Sequence, residues 1–148
     1  MADDDDRRRA LDRSIRALAR RDHSAAALRA KLERAGISPT AQTDVVETLE
    51  RVGYVDDERF ARDRAAQLAE RGYGDEWIRG DLEAQGVGRE LVDPAVTSLQ
   101  PEYDRAAREA ARAGGGLRSV RMLARRGFSE ETLEVLFDES IAVEPPEE

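Results

Sequence analysis

Cysteine is absent from the 148 residues, which excludes disulfides, thiolate nucleophiles and cysteine-ligated metals together. His23 is the only histidine, so a histidine metal cluster and a histidine acid/base pair are excluded as well. Only seven residues are aromatic (one Trp, three Tyr, three Phe), and any core must rest on Leu, Val, Ile and Ala. Lysine is confined to Lys31, the other basic residues being arginine. No apolar run approaches the ~20 residues of a membrane-spanning helix. The N-terminus is polar where a signal peptide is apolar, and the expectation is a soluble cytoplasmic protein. There is no Walker-type glycine loop and no nucleophile elbow, so neither an enzyme nor a bound cofactor is expected.

Glycine and leucine supply the informative pattern. Leu32-Gly36-Ile37, Leu49-Gly53-Tyr54, Leu68-Gly72-Tyr73, Leu82-Gly86-Val87 and Leu123-Gly127-Phe128 all place glycine four residues after leucine and an apolar residue next. A Schellman-type helix end requires this spacing, with glycine left-handed just past the last turn and its successor folding back. Five such stops describe an array of short helices, and an all-α chain follows.

The spacing predicts a disordered charged arm over 1–8 and a helix from about Arg9 to Arg21, with Leu11, Ile15 and Leu18 on one face. Ser24 and Ser38-Pro39 have the character of helix starts. Asp56 or Asp57 starts the next round, followed by helices from Asp75 and Arg89; Pro94 falls near the first turn of the latter and could shift its start. Pro101 opens a third round ending near Glu139, and 140–148 reads as an acidic tail. Leu28-Arg29-x-x-Leu32-x-x-x-Gly36-Ile37 aligns without gaps on Ile78-Arg79-x-x-Leu82-x-x-x-Gly86-Val87. The third copy keeps Leu123-x-x-x-Gly127-Phe128, its Val120-Arg121 pair slipped by one. Three tandem three-helix repeats are therefore expected, at 9–55, 56–100 and 101–139, stacked into an elongated curved monomer.

These same stretches resemble the RecX family of recombinase regulators. Ala17 to Ser24, followed by Leu28, Leu32 and Gly36, is similar to the family's opening. Gly53-Tyr54-Val55-Asp56-Asp57-Glu58-Arg59-Phe60-Ala61-Arg62 resembles its most diagnostic segment. Arg71-Gly72-Tyr73-Gly74, then Ile78, Leu82 and Gly86-Val87, continue in register, and Arg125-Arg126-Gly127-Phe128-Ser129 fits the third unit. The resemblance spans about 14 to 137. It implies a regulator that binds the RecA filament on single-stranded DNA and lowers its ATPase, strand-exchange and co-protease activities, with a role in DNA repair and the SOS response. Two departures concern helix starts: Ala27 stands where an acid would complete a capping box with Ser24, and Asp75 replaces a proline after Gly74.

Charge is distributed unevenly beneath the net value of −8. Residues 129–148 hold eight acids and no base, whereas 101–128 hold seven arginines against three acids. Arg105, Arg108 and Arg112 fall at i, i+3 and i+7 on one helical face, and Arg118, Arg121, Arg125 and Arg126 follow. Arg13, Arg16, Arg20 and Arg21 form a second cluster. A single-sign stripe repels itself without a partner, which favours an acidic protein surface or filament phosphates over a merely solvated face. Asp56-Asp57-Glu58 could be a Mg²⁺ cluster, but acids at a helix start are accounted for by its free N–H groups and dipole. His23 reads as structural, Phe60 and Trp77 as core. The alternative function, an autonomous nucleic-acid binder built of helix-turn-helix-like triplets, is opposed by overall acidity and by the lack of interleaved aromatic and basic residues.

Overall fold

In a computed structural model, residues 2–143 are described, with side chains from 3 to 139. The helices are α1 Ala2–Arg20, α2 Ala25–Arg34, α3 Pro39–Arg51, α4 Asp57–Glu70, α5 Asp75–Ala84, α6 Arg89–Thr97, α7 Glu102–Arg112, α8 Gly116–Arg125 and α9 Glu130–Val143. No strand occurs among the described residues, and none of these helices is long and apolar enough to cross a membrane. The heavier helix–helix packing falls within α1–α3, α4–α6 and α7–α9. Each triplet has its own buried cluster. The third core is small, its buried members being Ala106, Leu123, Phe128 and Leu136.

All five leucine–glycine stops form. Gly36, Gly53, Gly72, Gly86 and Gly127 have φ between 78° and 92°. The N–H after each returns to the leucine carbonyl, from Tyr54 to Leu49 at 2.9 Å up to Phe128 to Leu123 at 3.2 Å. The leucines anchor the units: Leu28, Leu32, Leu82 and Leu123 are fully buried, as is Ile78. The successor of glycine packs inward as Ile37, Val87 and Phe128, but Tyr54 is 63% exposed and Val55 takes the inside place. Ser24 and Ser38 cap α2 and α3, accepting from the N–H groups of Ala27 and Ala41. Pro94 lies inside α6, which still starts at Arg89.

Four expectations need correction. The charged arm is helical from residue 2 rather than disordered: α1 starts at Ala2, where Asp3, Asp4 and Asp5 suit the positive end of the helix dipole, and Met1 lies outside the described residues. Asp6 accepts from the Ser38 N–H at 3.0 Å, and Arg7 pairs with Asp44 at 2.5 Å. At the other end α9 continues to Val143, past the expected stop at 139; residues 144–148 of the acidic tail lie outside the described residues. Of the expected core face of α1, Leu18 packs against the first core but Leu11 and Ile15 do not. Ala10, Ser14 and Ala17 face inward, and their small side chains let α1 lie close on α3, leaving Leu11 and Ile15 39% and 47% exposed. Trp77 is 47% exposed rather than core, its ring stacked on Tyr73 at 4.8 Å between centroids. Phe60 is buried as expected.

Candidate interaction surfaces

The family-like segment 53–62 builds the joint between the first two units. Asp56 caps α4 through the Arg59 N–H, while Asp57 reaches back to accept from the Ala25 N–H at 2.8 Å. It thus satisfies the first N–H of α2, next to the Ser24 N–H that an acid at Ala27 would have served. Arg59 binds Asp22 and donates to the carbonyls of Gly53 and Tyr54. Glu58 pairs with Arg62, so every acid of the Asp56-Asp57-Glu58 run has a structural partner. Among the described residues no group of side chains is arranged to hold a metal ion. Across the joint the Ser24 hydroxyl donates to the Gln85 carbonyl at 2.5 Å, and Gly86 lies against Ala26 with no room for a Cβ.

The joint between the second and third units repeats this plan with other residues. The Gly74 N–H donates to the Arg126 carbonyl at 2.8 Å, where Ser24 used its hydroxyl. Glu102, first residue of α7, accepts from the Asp75 N–H at 2.8 Å, as Asp57 does from Ala25. Burial would raise the Glu102 carboxyl, but hydrogen bonds from the Ser129 and Thr132 hydroxyls and two backbone N–H groups outweigh it, leaving a lowered pKa. Gly127 packs with its α-carbon against the Trp77 backbone and Cβ, which leaves no space for a side chain.

This joint also claims part of the predicted arginine stripe. Arg105 is only 5% exposed: it ion-pairs with Asp75, donates to the carbonyls of Gln100 and Tyr73, and lies 6.0 Å from the Phe128 ring centre. Asp75, standing where proline was expected, is thereby an anchor; its own burial raises its pKa against the pull of Arg105. Arg105 is not available to a partner. Sequence spacing placed Arg105, Arg108 and Arg112 on a common face without revealing that its first member points into a joint. Arg112 and Arg126 share Glu109, and Arg108 donates to the Gln100 side chain. Arg118, Arg121 and Arg125 remain exposed along α8 without an ion pair among the described residues.

The first cluster fares differently. Arg13, Arg16 and Arg20 line one wall of a groove of about 400 Å³ between α1 and α2, and Lys31 lines the other. The four have no carboxylate partner within 4 Å among the described residues. Arg21 lies beyond the end of α1 and outside this groove, its carbonyl accepting from His23 Nδ1 at 3.0 Å. Lys31 was missed because its place opposite α1 depends on tertiary packing. Arg9 continues the register of Arg13, Arg16 and Arg20 one turn earlier but serves the fold, pairing with Asp6 and donating to the Ala35 carbonyl at 3.2 Å. His23 is buried; burial lowers its pKa and keeps the ring neutral, with Nε2 unpartnered.

Comparison with known proteins agrees with this architecture. The model of the first three-helix domain of RecX matches residues 10–49, and that of the second matches 56–96. The regulatory protein RecX of Cronobacter sakazakii is 34% identical over 113 residues, covering 70% of this chain and 68% of that protein. That of Xanthomonas campestris pv. campestris (strain B100) is 32% identical over 128 residues, covering 80% and 79%. The crystal structure of RecX from Lactobacillus salivarius superposes with a TM-score of 0.78 at 15% identity, over 94% of this chain and 99% of that one. The two matched domains and the extent of the similarity lead to one conclusion: the chain belongs to the RecX family of regulatory proteins.

Proposed function

We propose that the protein binds the RecA filament on single-stranded DNA and inhibits its ATPase, strand-exchange and co-protease activities, so regulating DNA repair and the SOS response. It acts by binding rather than by catalysis, in the cytoplasm, as a monomer whose three units form an elongated curved body. The observation that supports this best is the combination of RecX-family domains in tandem with exposed, unpaired arginines on α8. Units packed mainly within themselves leave long outer faces, which suit an extended polymeric partner. In this reading Arg108, Arg118, Arg121 and Arg125 meet acidic groups of the recombinase, the contact weakening with salt over a ~10 Å Debye length at 0.1 M.

The test is a titration into RecA filaments assembled on single-stranded DNA. ATP hydrolysis and strand exchange should fall at substoichiometric to near-stoichiometric amounts. If both are untouched over a wide range, the functional reading fails although family membership stands.

A further inference from the structure

We propose that copies of this chain join head to tail, the acidic face of α9 in one copy seating on the apolar face of α1 in the next. This goes beyond the reading above and involves no recombinase: the dilute chain is a monomer, and crowded copies lengthen the array.

The first argument is where apolar surface is left over. Among the described residues, Leu11, Ile15, Val52 and Tyr54 are exposed in the first unit. Leu117, Val135 and Phe137 are exposed in the third, whereas the middle unit exposes Trp77 alone among its large apolar side chains, stacked on Tyr73. The end units of a repeat array ordinarily turn a polar face outward, because no neighbour covers it. Here the end units are the apolar ones, which is the pattern of an array that continues.

The second argument is fit. Leu11, Ile15 and Leu18 recur at four and three residues, a stripe about 10 Å long on α1. Two hollows of about 540 and 550 Å³ lie beside it, one between α1 and α3 over Val45 and the other bordered by Tyr54. On α9, Glu130, Leu133, Glu134, Phe137 and Asp138 fall on one face about 12 Å long. With Val120 of α8 they line a hollow of about 470 Å³. Phe137 is 39% exposed and supplies the aromatic anchor on which protein interfaces depend.

The third argument is charge, and it selects a second copy as the occupant. Glu130, Glu134 and Asp138 stand one turn apart with no basic partner among the described residues, and α9 itself holds no base. Like charges at this spacing weaken a helix until cations meet them. Beside the α1 stripe, Arg7 is paired with Asp44 and Arg59 with Asp22, which leaves Arg8 and Arg51 unpaired against the single carboxylate of Glu47. An acidic helix with an aromatic anchor therefore meets an apolar groove edged by two unpaired arginines. Because the two faces differ, the contact is heterologous, and every assembly keeps one free face of each kind.

Sedimentation velocity of the full chain, without recombinase and at low salt, reads the association. As protein rises from about 10 µM to about 1 mM, the mass should grow past that of a dimer without a plateau. Ile15→Glu blocks one face and Phe137→Glu the other, so each variant alone should remain monomeric. Mixed, each keeps the face the other lacks, and they should stop at a one-to-one dimer. Arg8→Glu with Arg51→Glu should abolish growth, and adding Glu134→Arg and Asp138→Arg in the same chain should restore it. Circular dichroism confirms that each variant folds. The proposal is overturned if the wild type is still monomeric at about 1 mM, or if its growth ends at a dimer, the mark of a symmetric contact. It is equally overturned if Phe137→Glu associates as the wild type does, since α9 then lies outside the contact. A mixture of the two blocked variants that stays monomeric, or a fourfold charge exchange that restores nothing, refutes it as well. Inhibition of RecA is a separate readout, and its loss or survival in the wild type leaves these outcomes unchanged.

Discussion

Gly74→Ala is the sharpest test of how the units are joined. The φ of Gly74 is −87°, a value open to any residue, so backbone strain is not the issue. The issue is space. A Cβ at this position falls against the Gly127 carbonyl and the Phe128 nitrogen, backbone atoms that cannot swing aside as a side chain could. The third unit would have to move, loosening the bonds from Gly74 N–H to the Arg126 carbonyl at 2.8 Å and from Glu76 N–H to the Gly127 carbonyl at 3.1 Å. Overpacking together with a weakened hydrogen bond costs about 2–3 kcal/mol. With a urea slope of about 2 kcal/mol/M, the midpoint falls by about 1–1.5 M. Gly80→Ala is the matched control six residues on: it lies inside α5 with nothing within 4 Å, so the same methyl should stabilise by about 0.5–1 kcal/mol. Urea titration followed at 222 nm reads both. If Gly74→Ala leaves the midpoint unchanged or raises it, the close approach of the two backbones does not hold the joint.

Other substitutions probe the remaining joints. Arg105→Ala should cost about 2–4 kcal/mol, because it strands a partly buried Asp75 and two carbonyls, and Arg105→Lys should not restore the loss since one ammonium cannot replace the guanidinium fork. Arg108→Ala, at an exposed site, should stay within about 0.5 kcal/mol in the same denaturation assay. Asp6→Ala removes the acceptor of the Ser38 N–H and should destabilise by about 0.5–1.5 kcal/mol, whereas a disordered arm would give no change. His23 has a folded pKa below its ordinary 6.5, so the unfolded chain binds more protons between the two values. Its contribution is complete above pH 6.5 and is lost as pH falls toward the folded value. Stability measured from pH 7.5 to 5.5 should decline in the wild type and less steeply in His23→Gln.

What could be read from the sequence was what local geometry decides. The glycine stops and the caps at Ser24, Ser38 and Asp56 each depend on a few neighbouring residues, and each forms as its spacing requires. The side a helix turns inward depends on what it meets. In α1 a leucine–isoleucine face competes with a face of Ala10, Ser14 and Ala17, and the small one wins because α3 can approach it more closely. Trp77 escapes the core for a related reason: its Cβ and backbone are pinned against Gly127, which directs the ring outward onto Tyr73. The arginines show the same division. Helical spacing grouped Arg13, Arg16, Arg20 and Arg21, of which the first three line one groove and Arg21 does not, but that Arg105 is spent on Asp75 while Lys31 stands across that groove is a property of packing between elements.

The joints carry a further lesson about repeats whose residues differ. Ala35, Gln85 and Arg126 sit at equivalent places, one residue before the terminal glycine of each middle helix. All three carbonyls are occupied by a donor from outside that helix: the Arg9 guanidinium, the Ser24 hydroxyl and the Gly74 N–H. The first N–H of α2 and of α5 is likewise occupied by a carboxylate that opens the following unit, Asp57 in one case and Glu102 in the other. A buried end of a helix must find partners for its free carbonyls and N–H groups, and that demand fixes the bonds while leaving open which residue supplies them. Side-chain identity therefore drifts from joint to joint without disturbing the array. The same logic explains why Arg9, which lines the cationic groove with Arg13, Arg16 and Arg20, is tied to the fold while they are not. Its guanidinium fills, from within the first unit, the place that a neighbouring unit fills in the other two, so the charge left for a partner begins at Arg13.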